Sequence, residues 1–379
     1  MDDQISNIDI ESEIKNEIEK HLTLCGFYSS TLDKKNKENY RSAHYYQRQE
    51  KLKKNKEFLI KKWKRARPFL ADGCDVNPEN IKIRIEVAES RKLSGDLFRI
   101  IGLNWSIPIS EGYGRRMRFL VWDDSINKVI GIFALGDAVY NLQVRDTYIG
   151  WDEKSKKDRL VNVMDAYILG AIPPYSNLLC GKLIASIIKS QEVVRLFREK
   201  YKESVGIISG KKKNPHLTMI SVTSALGRSS IYNRVTLNGD KIFSKIGETS
   251  GYGHFQFSDI LFKKLVAYLR VKNISIEGSY TFGRGSNWRM RIIKSAFKEL
   301  GIASSLIKHG FLREVYVSLV ADNAIDVLKG IKKEPNYQSL KSIAEIQELA
   351  KERWIIPRSK RNHEYKNFKV EELYKRITT

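Results

Sequence analysis

Apolar positions recur along this chain in two rhythms. Ile8, Ile10, Ile14, Ile18 and Leu22 sit at helical spacing and predict a first amphipathic helix within 8–29. A second helix is expected from Tyr40 to about Leu70, with Phe58, Leu59, Ile60 and Trp63 available to dock on a core. The polar DGCDVNPEN stretch, 72–80, reads as a linker, and IKIRIEVAE after it alternates as a strand. RRMRFLVWDD and INKVIGIFALGD read as two strands separated by a turn at Asp123 to Ile126. DTYIGW and LVNVMDAYILGAI supply a further two, the latter ending at Pro173-Pro174. One long helical run, NLLCGKLIASIIKSQEVVRLFREKYK, precedes the strand-like HLTMISVTSA. The second half predicts helices over 256–270 and 288–300 with NISIEGSYTF as a possible strand between them. A short apolar run, YVSLVA, and helical periodicity from Ile343 to Trp354 complete it.

Strands followed by a covering helix and another strand define an α/β fold, a mixed sheet flanked by helices. Three regions are expected: a helical basic N-terminal part over 1–75, an α/β core over 80–245, and a basic α/β C-terminal region over 246–379. The 379 residues are 42% apolar, enough for a sizeable core. No uncharged run reaches 18 residues, so no membrane span is predicted. The acidic start MDDQISNIDIESEIKNEIEK lacks the basic-then-apolar order of an export signal. Cys25, Cys74 and Cys180 are widely separated and odd in number, which argues against a disulfide scaffold and for the cytoplasm.

Charge changes the picture. Lys and Arg number 67 against 44 Asp and Glu, a net +23 that draws the chain toward polyanions. KLKKNKEFLIKKWKRARPFL alone holds nine basic residues and one acidic residue, as a solvated face or as an edge turned to a polyanion. RDTYIGWD offers Arg145 and Asp146, either a local ion pair or a cleft rim where Asp146 acts as acid, base or ligand and Arg145 meets an anion. GRSSIYNR places two hydroxyls between Arg228 and Arg234. It is a phosphate or carboxylate pocket or a structural turn, and it lacks the Gly-Lys-Ser/Thr ending of a P-loop. GETSGYGHFQF gathers glycines that can expose backbone N–H groups, with Glu248 and His254 as acid–base candidates. No local ligand spacing supports a metal site, and whether carboxylates from afar assemble a divalent-metal site is left open.

GRGSNWRMR opens a run from Arg284 to Arg313 with seven basic residues and the single acidic Glu299. A helix there would align Arg291, Lys294 and Lys298. Arg284, Arg289, Arg291 and Lys294 would hold phosphates while Trp288 stacks on a base; alternatively Trp288 plugs the core and the arginines face water. Arg358, Lys360 and Arg361 add unspecific phosphate attraction near the tail. No Walker pair or helicase-like set is present, so an ATP-driven motor would have to be a partner.

RDTYIGW, LVNVMDAYILGAIPPY, GRSSIYNR, GETSGYGHF, GRGSNWRMRII and HGFLREVYVSLVADN, in this order over roughly 80–360, resemble the DUF4338 family of the bacterial Druantia anti-phage systems. The resemblance implies a part in antiviral defence beside companion proteins that include a very large helicase-like subunit. It carries no assigned reaction. Three roles follow: binding or sensing of phage nucleic acid, DNA or nucleotide modification or cleavage through Asp146, Glu248 and His254, or a non-catalytic adaptor. The strand–helix order also resembles the acyl-CoA-dependent N-acetyltransferase superfamily, with its splayed fourth strand and Gly-rich pyrophosphate loop. Here that loop reads YSNLLC, with Tyr175, Leu178 and Cys180 at the basic and small positions. Leu178 would block the backbone's approach to a pyrophosphate, so neither acyl-CoA nor another cofactor is expected.

Overall fold

A computed structural model describes residues 2–24, 38, 41–42, 44–109, 114–206, 210, 212–251, 257–275, 288–307 and 310–378, with the backbone alone for 2–9. Its elements are α1 (Asp2–Leu24), α2 (Tyr45–Ala66), β1 (Ile83–Val87), α3 (Leu93–Gly102), β2 (Arg116–Asp123), β3 (Lys128–Asp137), α4 (Gln143–Ile149) and α5 (Glu153–Arg159). There follow β4 (Val163–Ala171), α6 (Cys180–Ile187), α7 (Gln191–Tyr201), β5 (Met219–Thr223), α8 (Ser230–Arg234), β6 (Thr236–Leu237), β7 (Asp240–Lys241) and β8 (Ser244–Glu248). The chain ends with α9 (Asp259–Val271), α10 (Trp288–Glu299), β9 (Glu314–Leu319), α11 (Ala324–Lys329), α12 (Ile343–Ala350), a π-turn (Lys351–Ile355), α13 (Ile356–Arg361) and α14 (Glu371–Thr378).

Seven strands form one mixed sheet in the order β1-β2-β3-β4-β5-β9-β8. All neighbours are antiparallel except β4 and β5, which run parallel. That pair is short. β5 meets β4 at Val163, Met164 and Asp165, and β4 then continues to Ala171 bonded to β3 alone. The sheet therefore opens a wedge beside the C-terminal half of β4, and a parallel connection requires the long crossover through α6 and α7 that covers one face.

The reason β2 and β3 read as nearly continuous apolar runs is burial on both sides. Phe119, Val121, Ile130 and Phe133 point to a core completed by Leu183, Ile184 and Ile187, with Phe119 and Phe133 stacked at 4.4 Å. Leu120, Ile132 and Ala134 point the other way, to Leu59, Leu97, Ile101, Leu373 and Ile377 from the two ends of the chain. A third core is purely helical: Ile14, Ile18 and Leu22 pack with Leu265, Leu269, Ile293 and Phe297.

Three expectations are corrected. DTYIGW lies in helix α4, not in a strand: Asp146 sits in its first turn and Gly150, at φ 76°, caps it in the left-handed conformation. The long helix after β4 is two helices, because Ser190 takes extended geometry and its hydroxyl accepts from the Val193 N–H at 3.4 Å. The 72–80 stretch is not a free linker. The Gly73 N–H donates to the Phe368 carbonyl at 2.8 Å and the Val370 N–H to Asp72 Oδ1 at 2.8 Å, pinning it to the C-terminal segment. The NISIEGSYTF strand falls almost wholly outside the described residues.

Candidate phosphate-binding cleft

Where β4 leaves β5, the wedge widens into a cleft of about 520 Å³. Leu169, Gly170 and Ala171 form its wall, the turn into α6 its floor, and α8 its rim. Its polar side chains include Ser176, Lys182, Ser230 and Arg234, and among the described residues no carboxylate lines it. The turn is tight because Leu179 holds φ 63°, which starts α6 at Cys180 and brings Gly181 to the cleft surface. A Cβ on Gly181 would make ordinary van der Waals contact with Ile231 Cδ1 at 3.6 Å, so α6 and α8 lie close here without depending on the glycine. Tyr175, Leu178 and Cys180 all turn into the core and are fully buried. The expected obstruction by Leu178 therefore does not arise at this surface.

The electrostatics are one-sided. Burial lowers the Lys182 pKa from its usual value, and the nearby Arg353 and Arg234 guanidinium groups lower it further. Lys182 Nζ lies 5.6 Å from the Trp354 ring, and Arg353 is oriented by Thr236 Oγ1 at 2.9 Å. Cations held together with no anionic partner among the described lining residues favour an anionic ligand, and the N–H groups at the start of α6 have the same preference.

On the other side of α8 lies a closed polar network. Asn233 Nδ2 donates to Tyr316 Oη at 2.6 Å and to Glu314 Oε2 at 3.2 Å, while Tyr316 donates to Glu314. Lys245 Nζ bridges Glu314 Oε1 at 2.8 Å and Glu248 Oε1 at 3.0 Å. Burial alone would raise Glu314, but Lys245, Tyr316 and Asn233 outweigh it and hold the carboxyl below its ordinary range. Burial, then Glu314, pushes Tyr316 up. This network fastens GRSSIYNR to β8 and β9 and so fixes the orientation of Arg234 across the cleft. Arg228 is exposed beside it and acts on Tyr316 through its charge.

The remaining sequence candidates go elsewhere. Arg145 is 0% exposed: its guanidinium donates to Asp146 Oδ1 at 2.6 and 2.9 Å, to the Val139 carbonyl at 2.7 Å and to the Tyr140 carbonyl at 3.0 Å. It holds the 139–146 corner and offers nothing to a ligand. Asp146 also meets Lys156 Nζ at 3.4 Å, whereas Glu248 is committed to Lys245, so the two carboxylates serve different partners. Trp288 is half-buried and packs edge-on to Phe262 at 5.3 Å. Arg289 is an internal staple, with Nη1 on Asp259 Oδ1 and Nη2 on the Phe257 carbonyl, both at 2.6 Å. Arg291 and Lys294 lie on the exposed side of α10. Lys298 is exposed as well, so the aligned Arg291, Lys294 and Lys298 stay on the surface while Arg289 and Trp288 turn toward the helical core. His254 and Arg284 fall outside the described residues. Among the described residues no cluster of His, Cys, Asp and Glu could hold a metal ion, and no helix is long and apolar enough to cross a membrane.

Together these features define a mixed-sheet α/β protein built around an electropositive wedge. A family model described as "Druantia protein DruA" matches residues 34–330. The Druantia protein DruA of Escherichia coli (strain UMEA 4076-1) is 44% identical over 376 residues, covering 98% of this chain and 93% of the relative. The chain belongs to the DruA family of anti-phage defence proteins. No solved structure matches it.

Proposed function

We propose that this protein serves anti-phage defence by binding phage nucleic acid, with the cleft beside β4 taking a phosphate-bearing part of it, and that it does so next to a helicase-like partner. The observation that carries this reading is the cleft's composition: Lys182 and Arg234 face one space, Arg353 adds charge behind them, and no carboxylate among the described residues lines it. Arginine binds phosphate oxygens bidentately and lysine adds a point charge, a pairing suited to phosphate in a partly desolvated site. Net charge of +23 adds long-range attraction. The test is fluorescence anisotropy of labelled oligonucleotides with the wild type, Lys182→Ala and Arg234→Ala, beside plaque assays of the intact system carrying the same variants. Weakened binding with lost protection supports the reading; unaltered binding removes it.

A second reading, a transferase acting on DNA or a nucleotide on an acetyltransferase-like core, is supported by the parting of the parallel β4 and β5 over the cleft. It calls for mass spectrometry of DNA incubated with the protein, where a mass change abolished by Arg234→Ala is the expected outcome.

A further inference from the structure

The helix α2 carries a feature that the cleft does not use. Its 22 residues are clamped from behind. Leu52, Leu59 and Ala66 are buried, Trp63 packs on Tyr374 with ring centres 4.7 Å apart, and the Arg99 guanidinium lies 3.9 Å from the centre of the Phe58 ring. Lys62 and Lys54, at the edges of this contact, are ion-paired with Asp96 and Asp259. Lys53, Lys56, Lys61, Lys64 and Arg65 are different. They recur at helical spacing on the outward half of the helix, are exposed, and make no ion pair among the described residues. The single acidic residue between them is Glu57.

We infer that this face of α2 is a track for the phosphate backbone of double-stranded nucleic acid. The inference rests on the nucleic-acid reading above and assigns a second contact surface to it. At 1.5 Å rise per residue, Lys53 to Arg65 spans about 18 Å, the rise of about five base pairs. A rigid rod of that length presents its charges without a folding cost on binding. Between Lys53 and Arg65 no aromatic ring is exposed, so this stretch has no platform on which unpaired bases would stack. Four of the five cations are lysines, which contact phosphates as point charges and carry no base-edge recognition. The contact is therefore sequence-blind and suited to duplex. A membrane surface fits less well: the apolar side of α2 is spent on the core, and between Lys53 and Arg65 Ile60 is the large apolar side chain left outside, 61% exposed.

The experiment is anisotropy of a blunt, unphosphorylated duplex over a salt titration. It compares the wild type, the variant with all five residues changed to Gln, and Arg234→Ala, with melting curves as the folding control. The five-fold variant should lose affinity by at least about 10-fold at low salt and flatten the log–log salt slope by about 4. An unchanged slope in that variant overturns the inference. A loss seen only in Arg234→Ala rejects this face and leaves the cleft standing, whereas a wild type that binds no nucleic acid rejects both. Binding to phosphatidylserine vesicles that depends on the five cations, without duplex binding, also overturns it.

Discussion

Arg145 and Arg234 both stand in short motifs rich in hydroxyl and aromatic residues, yet the fold treats them oppositely. Arg145 is sealed, its donors shared among one carboxylate and two backbone carbonyls. Arg234 is exposed on a cleft lined by no carboxylate among the described residues. The difference teaches that a guanidinium becomes available for recognition when the local backbone supplies no acceptors of its own. At 139–146 the turn into α4 curls two carbonyls around the side chain. At α8 the acceptors Glu314 and Tyr316 are taken by Asn233 and Lys245 on the helix's far side.

That contrast is open to attack, beginning with stability. Arg145→Ala leaves two carbonyls without their donor and Asp146 with Lys156 alone, and should cost about 3–5 kcal/mol in urea unfolding. A loss under about 1 kcal/mol would mean that the corner is held by something else. A second sealed basic group gives the next effect. His44 is 3% exposed, with Nδ1 2.9 Å from Gln47 and Nε2 3.0 Å from the Arg313 guanidinium. Because Arg313 can only donate, Nε2 accepts and the ring is neutral. Burial first, then Arg313, lowers its pKa to about 4. The unfolded chain takes this proton at about pH 6.5. The contribution is thus full above that pH and lost as pH falls toward 4, about 3 kcal/mol in all. Comparing the pH-stability profiles of the wild type and His44→Gln checks it, and the variant's curve should be flatter across that window.

On the open side the effects move from stability to affinity. Arg234→Ala should leave the melting temperature nearly unchanged and weaken binding of an anionic ligand by on the order of 10-fold, the worth of one charge-assisted hydrogen bond. The smallest effect is on the stability of α2, where replacing the five outward cations one at a time by Gln should stay within about 0.5 kcal/mol each in the same denaturation assay.

Much of the sheet was legible because its signals are local. β1 to β4 follow from apolar runs bounded by turn residues, and the turn expected at Asp123 to Ile126 appears one residue on, at 124–127. DTYIGW was misread because Tyr, Ile and Trp favour strands, while the helix depends on Gly150 as a left-handed cap. Arg234 was visible as a candidate, but Lys182 was not, since it sits inside an apolar helical run and faces the cleft because two strands part elsewhere. Arg289 illustrates the opposite failure: its partner Asp259 lies thirty residues upstream, on a helix brought near by the third core. The basic run in α2 was visible as charge, while the separation of paired from outward lysines required the positions of Asp96 and Asp259.

The measurement that bears most directly on the cleft is calorimetric titration of inorganic pyrophosphate into the wild type, Lys182→Ala, Arg234→Ala and Arg353→Ala. The account predicts one saturable site in the wild type, weakened by on the order of 10-fold or more in the Lys182 and Arg234 variants and less in Arg353→Ala, with all four proteins melting alike. Equal binding by all four proteins, or none by the wild type, would contradict it.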